Sequence, residues 1–374
     1  MSRRGLHVKH LKLNENMPVD FKTRTYFFKP SRPVGPPPKI DPLLVAMNHA
    51  QGRSTTLILD TNILVKMEKV VASGNKAADL KNKGLHNLVA LLNRCPLESI
   101  YLSPGLALNE MPPALAEKSR NNFDVFCERH LPQFSDCPSA IQMRYIGKVT
   151  DYGFFDLDNE AQAVLAIAFS SLVYLQLLDR TPGLRPIEKF KRYLNILVAE
   201  LDLVSAREVE IARYCFANPP ATSKEIIALR KVIRRNFLQT KDERLPRSAD
   251  QLLHIAFNGA CDLSLILTAN HGDSKTIEGR KQDCWIATGD SKLWKFGEAA
   301  PHILLDGEAG KFFHPPMLEE HSEDSYWAES AAAYFELASS RATRYQSKKL
   351  DVSGYPALAR RAADFAHASF VDGT

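Results

Sequence analysis

Three short apolar runs, each followed by a helix-start signal, form the most regular pattern in this chain. They cover residues 55–59, 100–102 and 285–288. Apolar runs of this length predict strands that are buried on both faces. The polar residues that follow them predict helices over residues 62–71, 105–111 and 291–296. Alternating strands and helices indicate an α/β domain with a parallel sheet.

Acidic residues lie at or beyond the ends of these predicted elements. Asp60 and Asp290 close two strands, Glu110 follows the second strand, and Asp250 belongs to the capping-box pattern of residues 248–251. Each has an ordinary interpretation as a helix cap, a dipole partner or an exposed acid. Ligands bind beyond the carboxyl ends of parallel strands, however, and four acids gathered there would repel one another without a cation.

The strings LDTN at residues 59–62 and ATGD at residues 287–290 resemble those of PIN-domain ribonucleases. The resemblance covers residues 51–111 and 248–312, and it implies a PIN-like three-layer α/β fold with a central parallel sheet. It implies hydrolysis of RNA to 5′-phosphate and 3′-hydroxyl ends. The catalytic and metal-binding residues that it implies are Asp60, Glu110, Asp250 and Asp290, with Asn62 and Thr288 in supporting roles.

The predicted ligands determine the expected metal. A carboxylate cluster without nearby His or Cys favours hard cations, so we expect Mg²⁺ or Mn²⁺ rather than Zn²⁺. Such an ion can activate water for attack on a phosphodiester and offset the charge that grows on the phosphoryl group. Together with the resemblance, which implies RNA as the substrate, this chemistry predicts a metal-dependent endoribonuclease.

Alternatives remain open for the third acid and for the function. Asp158 and Glu160, at the start of a long apolar helical run, are rivals to Asp250. The chain could be a catalytically inactive PIN-like RNA-binding or assembly module. It could also be a structure-specific DNA nuclease, for which Asp262 and Asp273 are the available additional acids.

The chain length of 374 residues predicts more than one module. Residues 1–50 are interpreted as a basic N-terminal arm with a Pro-rich linker. Residues 51–312 form the predicted nuclease domain, interrupted by a helical insertion over 112–247. Residues 313–374 are predicted to be a C-terminal helical extension.

Positive charge is concentrated in two segments, although the net charge is only +5. Residues 1–40 hold nine basic against two acidic side chains, and residues 180–247 hold fifteen against eight. Such segments suit the phosphate backbone of an RNA substrate, although a solvated surface is their commoner role. The candidate RNA contacts lie on a helix over 226–238 and in a polar loop over 269–283: Arg230, Arg234, Arg235, Lys275, Arg280 and Lys281.

The remaining patterns favour a cytoplasmic protein. The six cysteines lack the paired spacing of zinc sites, and no secretory signal is recognisable at the start. Residues 161–178 are nearly all apolar, yet they include Gln162 and Gln176 and predict a buried helix rather than a membrane span. We expect no membrane partner, a possible homo-oligomer, and a protein inhibitor if the enzyme is a toxin.

Overall fold

In a computed structural model, the described residues are 24–33, 35–134, 152–219, 224–273, 275–304, 312–313, 325–347 and 352–371. The protein is mixed α/β and mostly helical, with a small sheet that contains parallel strands. Two compact units divide the chain. The first comprises Met1–Met111, Ala116–Ala140 and Ala269–Phe313, and the second comprises Pro112–Leu115, Ile141–Thr268 and His314–Thr374.

The first unit holds the strands. They are β1 (Tyr26–Phe28), β2 (Ser31–Pro33), β3 (Arg53–Leu59), β4 (Ile100–Ser103), β5 (Thr276–Ile277), β6 (Arg280–Thr288), β7 (His302–Leu304) and β8 (Phe312–Phe313). The main sheet has the order β1-β6-β3-β4, with β5 also paired to β6. Strand β3 runs parallel to both neighbours, so that Leu59 pairs with Ala287 and Ile58 with Ser103. The carboxyl ends of β3, β4 and β6 therefore lie at one edge, as the apolar runs predict.

Helices follow these strands closely. Those of the first part of the chain are α1 (Pro42–Ala50), α2 (Thr61–Ala72), α3 (Ala77–Asn82), α4 (His86–Leu92), α5 (Gly105–Asn109) and α6 (Pro113–His130). Helix α12 (Ser291–Ala299) follows β6. Helix α2 buries Ile63, Leu64, Met67 and Val70, the spacing of one apolar helical face. Burial of that face fixes the helix beside the sheet, with its N-terminus just after β3.

The regular secondary structure in the described residues of the second unit is all helical. Its helices are α7 (Asn159–Arg180), α8 (Pro186–Ile196), α9 (Ala206–Phe216), α10 (Lys224–Phe237), most of α11 (Ala249–Gly272), α13 (Ser325–Ser347) and α14 (Tyr355–Val371). Helix α9 is buried around its whole circumference, charged residues included. Burial of charge is tolerable where partners are present, and Arg213 donates to Glu210 over 2.8 Å.

Among the residues that the structure describes, two helices are long and apolar enough to cross a membrane by length and composition. They are α7 and α11, and within their most apolar windows 67% and 61% of the residues are buried inside the protein. Burial in a protein core accounts for an apolar helix equally well. The sequence predicted a buried apolar helix in the region of α7, and the structure adds α11 as a second mostly buried apolar helix.

The structure differs from the sequence prediction at two places in the first unit. Within residues 24–50, predicted as an arm and linker, β1 joins the main sheet antiparallel to β6, and β2 joins β7. Residues 269–283, predicted as a loop, instead finish α11 and form a β5–β6 hairpin. Its turn residues Glu278 and Gly279 both have positive φ, as a two-residue hairpin turn requires. Residues 1–23 of the predicted arm lie outside the described residues.

Candidate functional site

Asp60 follows β3 directly and begins α2. Its backbone N–H donates to the carbonyl of Ala287 over 3.0 Å, which holds it beside the end of β6. Its side chain is 7% exposed and accepts a capping hydrogen bond from the N–H of Asn62. Burial raises the pKa of Asp60, and the charge of Asp290 raises it further. Hydrogen bonds to the carboxylate oppose this rise in pKa only in part.

The side chains of Thr288 and Asn62 hold Asp60 in place. Thr288 is fully buried, and its hydroxyl donates to Oδ2 of Asp60 over 2.5 Å. The same oxygen accepts from the amide of Asn62, which also donates to the Thr288 hydroxyl over 3.3 Å. The carbonyl oxygen of that amide accepts from the N–H of Gly289. These contacts join the start of α2 to the TGD turn, so both residues proposed as supporting touch Asp60.

Glu110 lies at the C-terminus of α5, the helix that follows β4, and so is on the β4 side of Asp60. Its Oε2 accepts a hydrogen bond of 2.5 Å from the hydroxyl of Thr61. Burial raises the pKa of Glu110 to about 8, with the charge of Asp60 as the next cause. The hydrogen bond from Thr61 lowers the pKa without offsetting those two effects. Glu110 and Asp60 therefore interact electrostatically in a poorly solvated place.

Asp290 begins α12 and is the most exposed of the three carboxylates. Its Oδ1 accepts from the N–H of Lys292 over 2.6 Å, and its own N–H donates to the Thr288 hydroxyl over 2.9 Å. Its side chain is 31% exposed. The preceding Gly289 fits a close approach, because a Cβ there would stand 2.4 Å from Nζ of Lys66 and 2.6 Å from Oδ1 of Asn62.

Lys66 brings a positive charge to this edge. Burial lowers the pKa of Lys66, whereas the charges of Asp60 and Asp290 raise it. Its Nζ donates to the carbonyl of Arg24 over 3.3 Å. The ammonium of Lys66 thus interacts with Asp60 and Asp290, and that of Lys292 lies 3.5 Å from Oδ2 of Asp290. The pKa values of Asp60 and Glu110 nevertheless remain raised.

A cation could enter this cluster only with much of its water. Among the described residues, no three His, Cys, Asp or Glu side chains are close enough to hold one ion. Mg²⁺, however, is usually bound by one or two carboxylates and retains several waters. Asp60 with either Glu110 or Asp290 is such a donor set, and the raised pKa values of Asp60 and Glu110 indicate a place where added positive charge is favourable.

Asp250 and its rivals have other surroundings, all within the second unit. The side chain of Asp250 is 87% exposed and lies 4.0 Å from the ring of His367. Asp158 caps α7 by accepting from the N–H of Ala161, and Glu160 is exposed in the first turn of that helix. The interactions that join Asp60, Glu110 and Asp290 include none of them.

The additional acids considered for a DNA nuclease are also engaged elsewhere. Asp262 accepts from the side-chain amide of Asn236 over 2.8 Å. Asp273 accepts from Nζ of Lys29 over 2.6 Å. These contacts give both carboxylates structural roles.

The basic candidates on α10 differ from one another. Arg234 donates through Nη1 and Nη2 to the two oxygens of Asp179, over 2.7 and 2.8 Å. Arg235 pairs with Glu243 over 2.8 Å while remaining about 39% exposed. Within the described part of the chain, Arg230 makes one long bond, 3.4 Å, to the carbonyl of Cys215. Arg234 is thus committed within the protein, and Arg230 has the most capacity left.

Lys275, Arg280 and Lys281 are exposed on the β5–β6 hairpin. Strand β6 runs from Arg280 to Thr288, a length of roughly 26 Å at about 3.3 Å per residue. The hairpin therefore lies at the opposite end of β6 from Asp290. The sequence predicted an irregular loop beside the substrate for residues 269–283. The structure instead pairs β5 with β6 in this segment.

Two residues of the cluster are absent from the sequence prediction. Thr61 is part of the LDTN string, but its partner Glu110 lies 49 positions later, so no local pattern shows the contact. Lys66 could have been found, because it lies four residues after Asn62 on the same face of a predicted helix.

Comparisons of the chain with models of known protein families, with curated proteins and with solved structures gave no match in any of the three.

Proposed function

We propose that this protein is a metal-dependent endoribonuclease of the PIN-like class, acting in the cytoplasm. The observation that carries the proposal is the position of Asp60. It lies between Glu110 and Asp290 at the carboxyl edge of β3, β4 and β6, and its pKa is raised by burial and by a neighbouring carboxylate. Such perturbed acids at a sheet edge are typical of functional sites.

Mg²⁺ or Mn²⁺, when bound, would activate water and offset charge on the phosphoryl group. The residues of the chain have separate tasks in this proposal. Asp60 is held rigidly by Thr288 and Asn62, while Thr61 orients Glu110. Lys66 carries a charge that can attract the phosphodiester into the site. Asp250 is left out of the proposed set because its side chain is exposed beside His367.

The test is cleavage of single-stranded RNA with Mn²⁺ or Mg²⁺, with and without EDTA. We expect Asp60→Asn to lower the cleavage rate by a factor of about 100 or more, because it removes the central carboxylate. Asparagine is an equally good helix cap, so the variant should still fold. Asp158→Asn is the matched control, since it makes the same change at the cap of α7. Equal rates for the two variants would refute the assignment.

A second candidate function is an RNA-binding or assembly module without turnover. Lys66 favours it, because its ammonium interacts with both Asp60 and Asp290 and could replace a metal ion. Lys66→Met separates the two functions. In a nuclease the variant should keep its dependence on added metal, whereas in an inactive module it should lose stability and show no cleavage with any metal.

DNA remains the alternative substrate. Asp262 and Asp273 are the additional acids that a DNA nuclease would use. In the described structure they accept hydrogen bonds from Asn236 and Lys29 instead of joining the cluster around Asp60. Competition between labelled RNA and flapped DNA tests the choice directly, and preferential cleavage of the DNA would replace the RNA assignment.

A further inference from the structure

The second unit contains a pocket whose charge is unbalanced. It has a volume of about 320 Å³ and lies where the end of α7, the start of α8, the end of α9 and one side of α10 meet. Its charged lining residues are Asp179, Lys189, Arg230 and Arg234. The lining therefore carries three cations and one carboxylate.

Asp179 is already committed to one of these cations. Both carboxylate oxygens of Asp179 accept from Arg234. Nζ of Lys189 donates to the backbone carbonyl of Asp179 over 2.7 Å, not to its carboxylate. Glu188, in the first turn of α8, pairs with Arg185 over 3.0 Å. Neither carboxylate therefore has a short contact with the charge of Arg230.

Arg230 has unused hydrogen-bonding capacity. Its one hydrogen bond to a described residue, from Nη2 to the carbonyl of Cys215, is 3.4 Å long. That carbonyl already accepts a bond of 2.8 Å from Arg234. Its Nε is buried without a hydrogen-bond partner among the described residues. Burial lowers the pKa of Arg230, and the like charge of Arg234 lowers it further. An anion in the pocket would accept hydrogen bonds from Arg230 and reduce the repulsion between Arg230 and Arg234.

The surroundings favour a phosphate group. A guanidinium offers forked donors that match phosphate geometry, and a lysine adds a mobile point charge. Helix α8, eleven residues long, begins at Pro186 on the pocket wall, and helix N-termini attract anions. Apolar walls from Leu184, Phe216 and Leu245 leave room for an organic group attached to the phosphate.

We propose that this pocket binds a small phosphate monoester of up to mononucleotide size, held by Arg230 and Lys189. The pocket lies wholly within the second unit, so the proposal does not depend on nuclease activity. The same phosphate chemistry could come from a free metabolite or from the 5′-phosphate of an RNA end. The free metabolite is the source that we assign, because the pocket volume limits the ligand.

Calorimetric titration of the full chain with inorganic phosphate and with AMP tests the assignment. We expect binding of at least one probe, weakened at least tenfold by Arg230→Gln and unchanged by Arg235→Gln. Arg235 is the matched control, because it lies on the same helix and pairs with Glu243. Absence of binding by both probes, or equal weakening in the two variants, would overturn the proposal.

A third arm uses RNA oligonucleotides with and without a 5′-phosphate. Binding of the phosphorylated oligonucleotide in the absence of binding by either small probe would reject the free-metabolite source.

Melting in phosphate-free buffer separates a ligand site from a structural contact. Arg230→Gln should leave the Tm unchanged or raise it, because burial and the like charge of Arg234 outweigh the attraction of Asp179 for the Arg230 guanidinium. Arg234→Gln should lower the Tm by breaking the pair with Asp179. A similar fall in Tm for both variants would show that Arg230 serves the fold and would overturn the proposal.

Discussion

Two groups of carboxylates lie along the same sheet of the first unit, and they are neutralised very differently. Near the start of β6, Asp273 and Asp283 both receive hydrogen bonds of 2.6 Å from Lys29. Beyond the end of β6, Asp60 and Asp290 share the electrostatic influence of Lys66 without such short contacts. One group is a closed structural network, and the other retains repulsion between its acids.

The network around Lys29 satisfies nearly all of its polar atoms. Oδ2 of Asp283 accepts from Asn48 and from the indole of Trp285, each over 2.7 Å. Burial acts to lower the pKa of Lys29, but the charges of Asp283 and Asp273 outweigh it and raise that pKa above its usual value. Burial also raises the pKa of Asp273, but there the charge of Lys29 is the largest opposing effect. At Asp60 and Glu110 the charge of a neighbouring carboxylate instead adds to the rise in pKa. Repulsion that the fold leaves uncompensated therefore distinguishes the candidate site from a structural ion pair.

The largest expected effect is on the closed network. Lys29→Met should lower the free energy of unfolding by about 3–5 kcal/mol, because it leaves two buried carboxylates without their cation. Lys292→Met is the control, since the partly exposed pair with Asp290, 3.5 Å long, should contribute less than about 1 kcal/mol. Urea denaturation measures both. Equal losses in the two variants would remove the contrast between the clusters.

A smaller effect, with a characteristic pH dependence, is expected at Glu110. Burial raises the pKa of Glu110 to about 8 in the folded protein, against the ordinary 4.5 of a glutamate, so the folded state holds its proton to higher pH. Stability from this group is present below pH 4.5 and is lost as the pH rises through about 8. Without metal, Glu110→Gln should match the unmodified protein at pH 4 and be more stable than it at pH 9, where Glu110 is ionised in the folded protein.

Glu117→Gln, an exposed change on α6, is the control for that series. Urea denaturation at pH 4, 7 and 9 in EDTA gives the comparison. Parallel pH profiles for the unmodified protein and Glu110→Gln would show that Glu110 ionises normally.

The smallest effect expected is stabilisation by metal. Mn²⁺ at ten times its Kd should raise the free energy of unfolding by about 1.4 kcal/mol through mass action. Asp290→Asn should reduce this gain, whereas Lys292→Met should not reduce it. Thermal melting with and without Mn²⁺ measures the gain, and an equal response in the two variants would place the ion elsewhere.

Local signals predicted the edge of the sheet well. The run before Asp60 and its capping position identified β3 and α2, because strand burial and helix capping depend on neighbouring residues. The network around Lys29 gave no local signal, since its partners Asp273 and Asp283 lie 244 and 254 positions away. Tertiary pairing also turned the polar segment before β6 into a hairpin. Glu110 was placed near Asp60 only by resemblance, and its contact with Thr61 needed the fold.

The order of the strands has a consequence for synthesis. Strand β3 pairs with β4 on one side and β6 on the other, yet the ribosome must add everything from Ser103 to Arg280 before β6 begins. At typical translation rates this takes roughly 10 to 35 s. During that interval an apolar strand edge of the nascent chain is unpaired and open to aggregation. We expect chaperone capture of the emerging polypeptide to end when translation passes Thr288.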